Sequence, residues 1–273
     1  ITNDPAKRYY YTLLFGDKYR VKIATRNVNI PGIQNFRDLG GYPSYSTKKQ
    51  VRWGMIYRSA EIDSLECYSR RELRNLGIKT LIDLRTSSET GRQSPLQKEF
   101  NVVHIPLATG DMENILKGIR EEKIKSDTVY RMVEQMNRDL IDKYTTEYRQ
   151  IFDILLDKNS YPVVIHCSSG KGRTGIVSAL VLAALGINED IIMEDYRLSN
   201  DYFNIPSASK DAYQLPARSQ EAITTLFSAR EDFLNAAKEE AECRYGDIDT
   251  YLQKGIGLNK NEIKRLRSIL LSD

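Results

Sequence analysis

Short apolar runs, separated by stretches with helical periodicity, recur along most of the chain. Four of these runs, at residues 55–57, 80–84, 101–105 and 162–165, predict strands, and the last three are compact apolar runs without polar alternation. Such runs are typical of a parallel sheet that is buried on both faces. The pattern predicts the α/β class, with a central, mostly parallel sheet of about four to five strands flanked by helices.

Helix signals lie between and after the predicted strands. Ser69 and Glu72 are spaced as a capping box, and Gly77 follows where a helix end favours a left-handed residue, so a short helix is predicted at 70–76. Four further helices are predicted towards the C-terminus, at 174–185, 188–199, 219–245 and 259–271.

Residues 111–157 form a long, charged and mostly helix-forming insertion between two predicted strands. Its apolar residues recur at helical spacing: Met132, Val133, Met136, Leu140 and Ile141. One face of the insertion therefore packs on the rest of the protein, either as ordinary core or as a lid over a site. Because long insertions between strands are often functional, we favour a helical lid.

The N-terminal residues 1–30 are rich in tyrosine, and residues 19–24 alternate polar with apolar positions, which predicts one or two strands. This segment could be the tail of a domain that has been removed, with residues 31–273 as the main domain. Because the chain begins with Ile1 instead of Met, we expect an exported or extracytoplasmic location rather than a cytoplasmic one.

Composition narrows the functional classes. Hydrophobic residues make up 41% and charged residues 28% of the 273 positions, as in soluble globular proteins. No window approaches the roughly 18 apolar residues of a membrane span, so none is expected. The net charge of +3, from 40 Lys plus Arg against 37 Asp plus Glu, is too balanced to favour nucleic acid as a partner.

The cysteines and histidines do not predict a metal site. Cys67, Cys167 and Cys243 are too few and too scattered for a disulfide framework, and His104 and His166 lack the spacing of zinc ligands. We interpret Cys67 and Cys243 as packing residues.

The strongest chemical signal is the segment HCSSGKGRTG at residues 166–175, between a predicted strand and a predicted helix. A glycine-rich turn into a helix N-terminus presents several backbone N–H groups to an anion. A Walker-type nucleotide loop is excluded, because it needs Ser or Thr directly after the lysine, and here Gly172 follows Lys171.

The residue types in this loop predict a reactive thiolate that faces a phosphate. Cys167 at its start meets converging N–H groups, the positive end of a helix and Arg173, all of which favour the thiolate. Arg173 can hold two phosphate oxygens through its planar guanidinium. The phosphate-binding residues predicted here are Ser168, Ser169, Gly170, Lys171, Gly172 and Arg173.

The pattern H-C-x-x-G-K-x-R-T-G resembles the bacterial tyrosine-phosphatase family that includes the secreted mycobacterial and listerial enzymes. Supporting segments occur in the family's order: NFRDLGGY at 35–42, YRS at 57–59, IDLR at 82–85 with Glu89, and YGDIDTYL at 245–252. The resemblance implies a phosphomonoesterase in which Cys167 forms a phosphocysteine intermediate, Arg173 binds substrate and transition state, and the Thr174 hydroxyl assists turnover. It implies no metal or organic cofactor.

The loop departs from this family at one position. Many members have Asp directly before the loop arginine, whereas this chain has Gly172, and G-K-G-R-T-G matches the phosphatase-and-tensin-type phosphoinositide phosphatases. The leaving alkoxide still needs a proton, so another acid must supply it. We predict Asp111, which follows the strand at 101–105 where related cysteine phosphatases carry a mobile Asp loop. Asp83 is the alternative acid, although its place in an apolar strand favours a structural role.

Several alternatives remain open. The substrate is either a phosphotyrosine protein or a phosphoinositide. Lys171 is either a solvated loop lysine or a residue that binds additional negative charge on an inositol headgroup. A rhodanese-like sulfurtransferase and a phosphate-binding module without turnover are the competing functions.

Other polar residues near these motifs are expected to be structural. We expect His166 to orient the loop by hydrogen bonding and His104 to be structural. For Arg37, Asp38 and Arg58 we favour a structural role, as a buried ionic network under the loop or as caps of turns.

Overall fold

The computed structural model of the protein describes residues 8–16, 19–63, 65–90 and 95–272. These residues form ten strands: β1 Tyr11–Phe15, β2 Tyr19–Ile23, β3 Arg37–Asp38, β4 Pro43–Ser44, β5 Lys49–Val51, β6 Ile56–Ser59, β7 Thr80–Asp83, β8 Asn101–His104, β9 Val163–His166 and β10 Leu271–Ser272. Thirteen α-helices are described: α1 Cys67–Asn75, α2 Ser87–Thr90, α3 Met112–Arg120, α4 Ser126–Lys143, α5 Thr145–Leu156, α6 Gly172–Ala184, α7 Glu189–Arg197, α8 Ser199–Tyr202, α9 Ile205–Ala208, α10 Ala217–Phe227, α11 Glu231–Tyr245, α12 Ile248–Thr250 and α13 Lys260–Leu270. Short 3-10 helices lie at Pro95–Lys98, Lys158–Ser160 and Ala212–Gln214, and a π-helix at Tyr251–Gly255.

The central sheet has five strands in the order β3-β6-β9-β7-β8. All neighbours are parallel except β3, which pairs antiparallel with β6 at one edge. The middle strands β7 and β9 are buried along their whole length, which explains the apolar residues at the centre of β7 and in the first three positions of β9. The predicted α/β class and mostly parallel sheet are confirmed, with strand ends shifted by one or two residues.

Two small antiparallel sheets flank this core. Strands β4, β5 and β10 form one of them, and β1 and β2 form an N-terminal hairpin, as the alternation of residues 19–24 indicated. The hairpin is tied to the body of the protein by Trp53 and Gln50, whose side chains donate hydrogen bonds to the backbone carbonyl of Lys22. Within the described part of the chain, no helix combines the length and apolar character that crossing a membrane requires.

The prediction of a single helix at 219–245 is wrong, because the structure has two helices there, α10 and α11. Residues 228–230 leave the helical conformation between them. Asn200 explains why this break is stable: its side-chain amide donates to the carbonyl of Ala229 and accepts from the amide of Ala229. A side chain from another segment thereby replaces the helical hydrogen bonds of that residue.

The capping box predicted at Ser69 and Glu72 is also wrong. Helix α1 begins at Cys67, so Ser69 lies inside the first turn, and its hydroxyl donates to the carbonyl of Pro31 at 2.6 Å. Cys67, the first residue of this helix, is exposed, and so is Cys243. The interpretation of these two cysteines as packing residues is therefore wrong.

The helices of the insertion pack into two different apolar clusters. Helix α5 packs into the main core, where Tyr148, Ile151 and Phe152 are almost fully buried. Helices α3, α4 and α10 instead share a separate apolar cluster that includes Ile115, Val129 and Ile223. Helices α3, α4 and α10 thus pack around an apolar cluster of their own, and α10 comes from outside the insertion.

Candidate active site

The candidate active site lies at the carboxyl ends of the parallel strands. The segment from Cys167 to Lys171 follows β9 directly and leads into α6. Gly170 has φ of +68°, and a Cβ atom there would come within 2.5 Å of the Ser59 carbonyl group. Only glycine fits this close approach without strain, and the resulting turn curls the backbone amides around the start of the helix.

Cys167 is buried, with 2% of its surface exposed. Burial alone would raise the pKa of its thiol. The charge of Arg173, the Thr174 hydroxyl and the amides of Thr174 and Gly170 outweigh this effect and hold the pKa of Cys167 below its ordinary value. Among the described residues the Thr174 hydroxyl has no oxygen or nitrogen partner, so the thiolate is the acceptor left to it.

Arg173 is fixed by a carboxylate on the opposite side of the loop. Its two terminal nitrogens donate to the two carboxylate oxygens of Glu89 at 2.7 and 2.6 Å. The Ser168 hydroxyl also donates to Glu89, at 2.7 Å. Burial alone would raise the pKa of Glu89, but the hydrogen bonds and charge of Arg173 lower it to about 2. Glu89 thus orients the arginine, a role that sequence reasoning did not assign.

A buried ionic network supports the loop from below. The carboxylate of Asp195 on α7 accepts from Arg37 at 3.3 Å and from Arg58 at 2.6 Å. Arg58 also donates to the carbonyl of Gly170 at 2.7 Å, so the network reaches the loop itself. Asp38 lies apart from it, where it accepts from the amides of Gly40 and Gly54 and pairs with Arg8.

Lys171 occupies an aromatic slot beside the loop. Its ammonium group lies 4.3 Å from the centre of the Phe203 ring and 4.9 Å from that of Phe227, and it has no hydrogen-bond partner among the described residues. Burial lowers the pKa of Lys171 to about 7, against the opposing charge of Cys167. The two rings favour the charged form. Lys171 is therefore not a solvated loop lysine.

The catalytic cavity has a volume of about 80 Å³, and Cys167, Ser169, Lys171, Gly172 and Arg173 line it. Its opposite wall comes mainly from helices α3, α4 and α10 and is largely apolar. Residues of this wall are Thr109, Met112, Val133, Met136, Asn137, Leu140 and Leu226.

Asp111 does not line this cavity, although Thr109 and Met112, which flank it in the sequence, do. The carboxylate is exposed and caps helix α3, where it accepts from the backbone amide of Asn114 at 3.0 Å and from its side-chain amide at 2.6 Å.

The carboxylate of Asp83 forms hydrogen bonds with a neighbouring arginine. Arg85 donates to both of its carboxylate oxygens, at 3.0 and 2.8 Å, and also to Asp63. Nδ1 of the buried His166 lies 3.9 Å from Asp83 without a hydrogen bond, and burial lowers the pKa of His166 to about 4. The imidazole is therefore neutral near pH 7. His104 contacts the carbonyl of Arg85.

The described residues contain no cluster of three or more His, Cys, Asp or Glu side chains that could hold a metal ion.

Comparison with known proteins agrees with this geometry. The profile of a tyrosine phosphatase family matches residues 28–272. The triple specificity protein phosphatase PtpB of Mycobacterium tuberculosis is 30% identical over 285 aligned residues, which cover 89% of this chain and 98% of the relative. A putative tyrosine-protein phosphatase of Cupriavidus necator is 25% identical over 238 residues, 85% of each chain.

Among solved structures, TpbA of P. aeruginosa matches 65% of this chain and 89% of its own, at 16% identity and a TM-score of 0.30. The family profile covers nearly the whole chain, and the lowered thiol pKa and the fixed arginine fit its chemistry. The chain belongs to the tyrosine phosphatase family and is a cysteine-dependent phosphatase.

Proposed function

We propose that the protein hydrolyses phosphotyrosine in proteins, with Cys167 as nucleophile and Arg173 as the phosphate clamp. The observation that carries this proposal is the thiol of Cys167, whose pKa is lowered by Arg173 and the loop amides at the floor of a cavity. The apolar side chains of Met112, Met136 and Leu226 on the opposite wall suit an aromatic ring that enters above the phosphate.

The reaction proceeds in two steps. The Cys167 thiolate attacks the phosphorus, the bond to the tyrosyl oxygen breaks, and the phosphoryl group is transferred to sulfur. Arg173 and the loop amides stabilise the charge on the three other oxygens. Water then attacks the phosphocysteine and releases inorganic phosphate, while the Thr174 hydroxyl hydrogen-bonds to the departing sulfur. Asp111 is our candidate for protonating the tyrosyl oxygen.

The test is phosphate release from a phosphotyrosyl peptide and from the same peptide with phosphoserine. We expect release from the phosphotyrosyl peptide and little from the other. Sulfur transfer from thiosulfate to cyanide without phosphate release would instead identify a rhodanese-like enzyme. Phosphate binding without turnover of any ester would identify a binding module.

Replacement of Asp111 by Asn tests the proton donor. We expect kcat to fall by about 10²- to 10⁴-fold on phenyl phosphate, whose leaving group needs a proton, and by much less on p-nitrophenyl phosphate. Asp247→Asn is the matched control, because Asp247 caps α12 in the same way as Asp111 caps α3. Equal losses on both esters would exclude Asp111 as the acid.

Gly172→Asp tests the position at which this loop departs from many relatives. A Cβ atom at Gly172 meets nothing within 4 Å, and the residue opens α6, where a carboxylate favours the helix. We expect the free energy of unfolding to rise by about 1 kcal/mol. In the Asp111→Asn background we expect the new carboxylate to restore kcat on phenyl phosphate at least about tenfold. Gly172→Asn is the control, and a recovery equal to that of Gly172→Asp would refute proton donation.

A second substrate class is favoured by Lys171. A buried ammonium without a hydrogen-bond partner beside the phosphate loop suits a substrate with a further phosphate, such as a phosphoinositide bisphosphate. We expect Lys171→Met to raise KM for a soluble phosphoinositide bisphosphate about tenfold, the effect of one lost charged hydrogen bond, and to change KM for the phosphotyrosyl peptide less than twofold. Lys123→Met, at an exposed lysine, is the control. Equal changes in KM for both substrates would show that Lys171 does not bind a second phosphate.

A further inference from the structure

A second cavity, of about 470 Å³, lies between α6, α7 and α11 and shares no lining residue with the catalytic cavity. Its volume is in the range of pockets that hold small organic ligands. Helix α6 supplies Ile176, Ala179, Leu180 and Ala183 to the lining. Ala179 and Ala183 are only partly buried, so the small side chains leave apolar surface open inside the cavity.

The charged residues that line this cavity are mostly acidic. Four carboxylates, from Glu189, Glu242, Asp247 and Asp249, accompany a single ammonium group, from Lys238. Lys238 pairs with Glu189 at 2.5 Å and lies 3.7 Å from Glu242. Asp247 and Asp249 form no ion pair with any described residue, and both are exposed. The cavity therefore joins an apolar interior to a rim with excess negative charge.

We propose that this cavity, the α6–α11 cavity, binds small molecules that join an apolar body to one cationic group. The apolar body would cover the surface of Ala179 and Ala183, which is partly open to water. The cationic group would lie at the rim near Asp249 and Asp247, where an anionic group would be repelled. This inference does not depend on which phosphate ester the enzyme hydrolyses.

Three probes with the same chain separate the contributions of apolar burial and charge. Decyltrimethylammonium, decanol and decyl sulfate are titrated into the full chain by calorimetry, each below the concentration at which it aggregates. We expect the cation to bind about tenfold more tightly than decanol, the combined effect of two exposed carboxylates, and the sulfate to bind more weakly than decanol. The preference for the cation should shrink as salt is added.

Two variants locate the binding. Ala183→Trp fills the floor of the cavity and should abolish binding of the cation and of decanol, while Ala208→Trp, at an exposed residue on α9, should not. The double variant Asp247→Asn/Asp249→Asn should bring the cation within about twofold of decanol without weakening decanol, and it tests the rim even if Ala183→Trp does not fold. The proposal is overturned if no probe binds, if the sulfate binds as tightly as the cation, or if the double variant leaves the preference unchanged.

Discussion

Replacement of Cys167 by Ser is expected to reduce kcat by about 10⁴-fold or more on every phosphate ester that the enzyme hydrolyses. The loop lowers the pKa of the Cys167 thiol and so favours the thiolate. A hydroxyl group is far less acidic, so the same charge from Arg173 and the same amides cannot ionise it near neutral pH. Initial rates of phosphate release from the phosphotyrosyl peptide measure the loss.

The other two cysteines provide the control for this experiment. Cys67 and Cys243 are exposed, on helices α1 and α11, and Cys67→Ser and Cys243→Ser should each leave kcat within about twofold, as surface changes usually do. Binding of tungstate, an analogue of phosphate, should survive in Cys167→Ser because Arg173 and the loop amides are unchanged. Activity above one hundredth of the original in Cys167→Ser would contradict a cysteine nucleophile.

Features that depend on residues close together in the sequence were predictable. The apolar runs of β7 and β9 identified the parallel sheet, because burial on both faces requires such composition. The edge strand β8 is partly exposed, but its run was also placed correctly. The loop at 166–175 was predictable because its glycines, cysteine and arginine act on one another within ten residues. The structure brings Cys167, Lys171 and Arg173 to one cavity, as the spacing indicated.

Pairs that the fold brings together from distant segments were not predictable. Glu89 meets Arg173 from 84 residues away, and Asp195 meets Arg37 from 158 residues away. No local pattern marks either carboxylate as a partner of the loop. The break between α10 and α11 has the same cause, because it depends on Asn200 in another segment. The interpretation of Cys67 and Cys243 as packing residues was wrong because the sequence did not show which face of each helix is buried.

Replacement of Asp195 by Asn is expected to lower the free energy of unfolding by about 3–5 kcal/mol, as when one partner of a buried ion pair is removed. Burial alone would raise the pKa of Asp195, but Arg37 and Arg58 lower it to about 2, so the carboxylate is charged near neutral pH. Both arginines are fully buried. Without the carboxylate, their positive charges remain in the interior with only dipoles as partners.

Urea unfolding measures this loss, and Glu231→Gln provides the matched control. Glu231, on α11, pairs at 2.6 Å with Arg197, which is on α7 like Asp195. Both side chains of this pair are more than half exposed. An exposed pair contributes at most about 1 kcal/mol, so this variant should unfold almost like the original. Because Arg58 also holds the carbonyl of Gly170, Asp195→Asn should lower kcat in the molecules that remain folded. A loss of stability no greater than that of Glu231→Gln would show that the two arginines do not depend on Asp195.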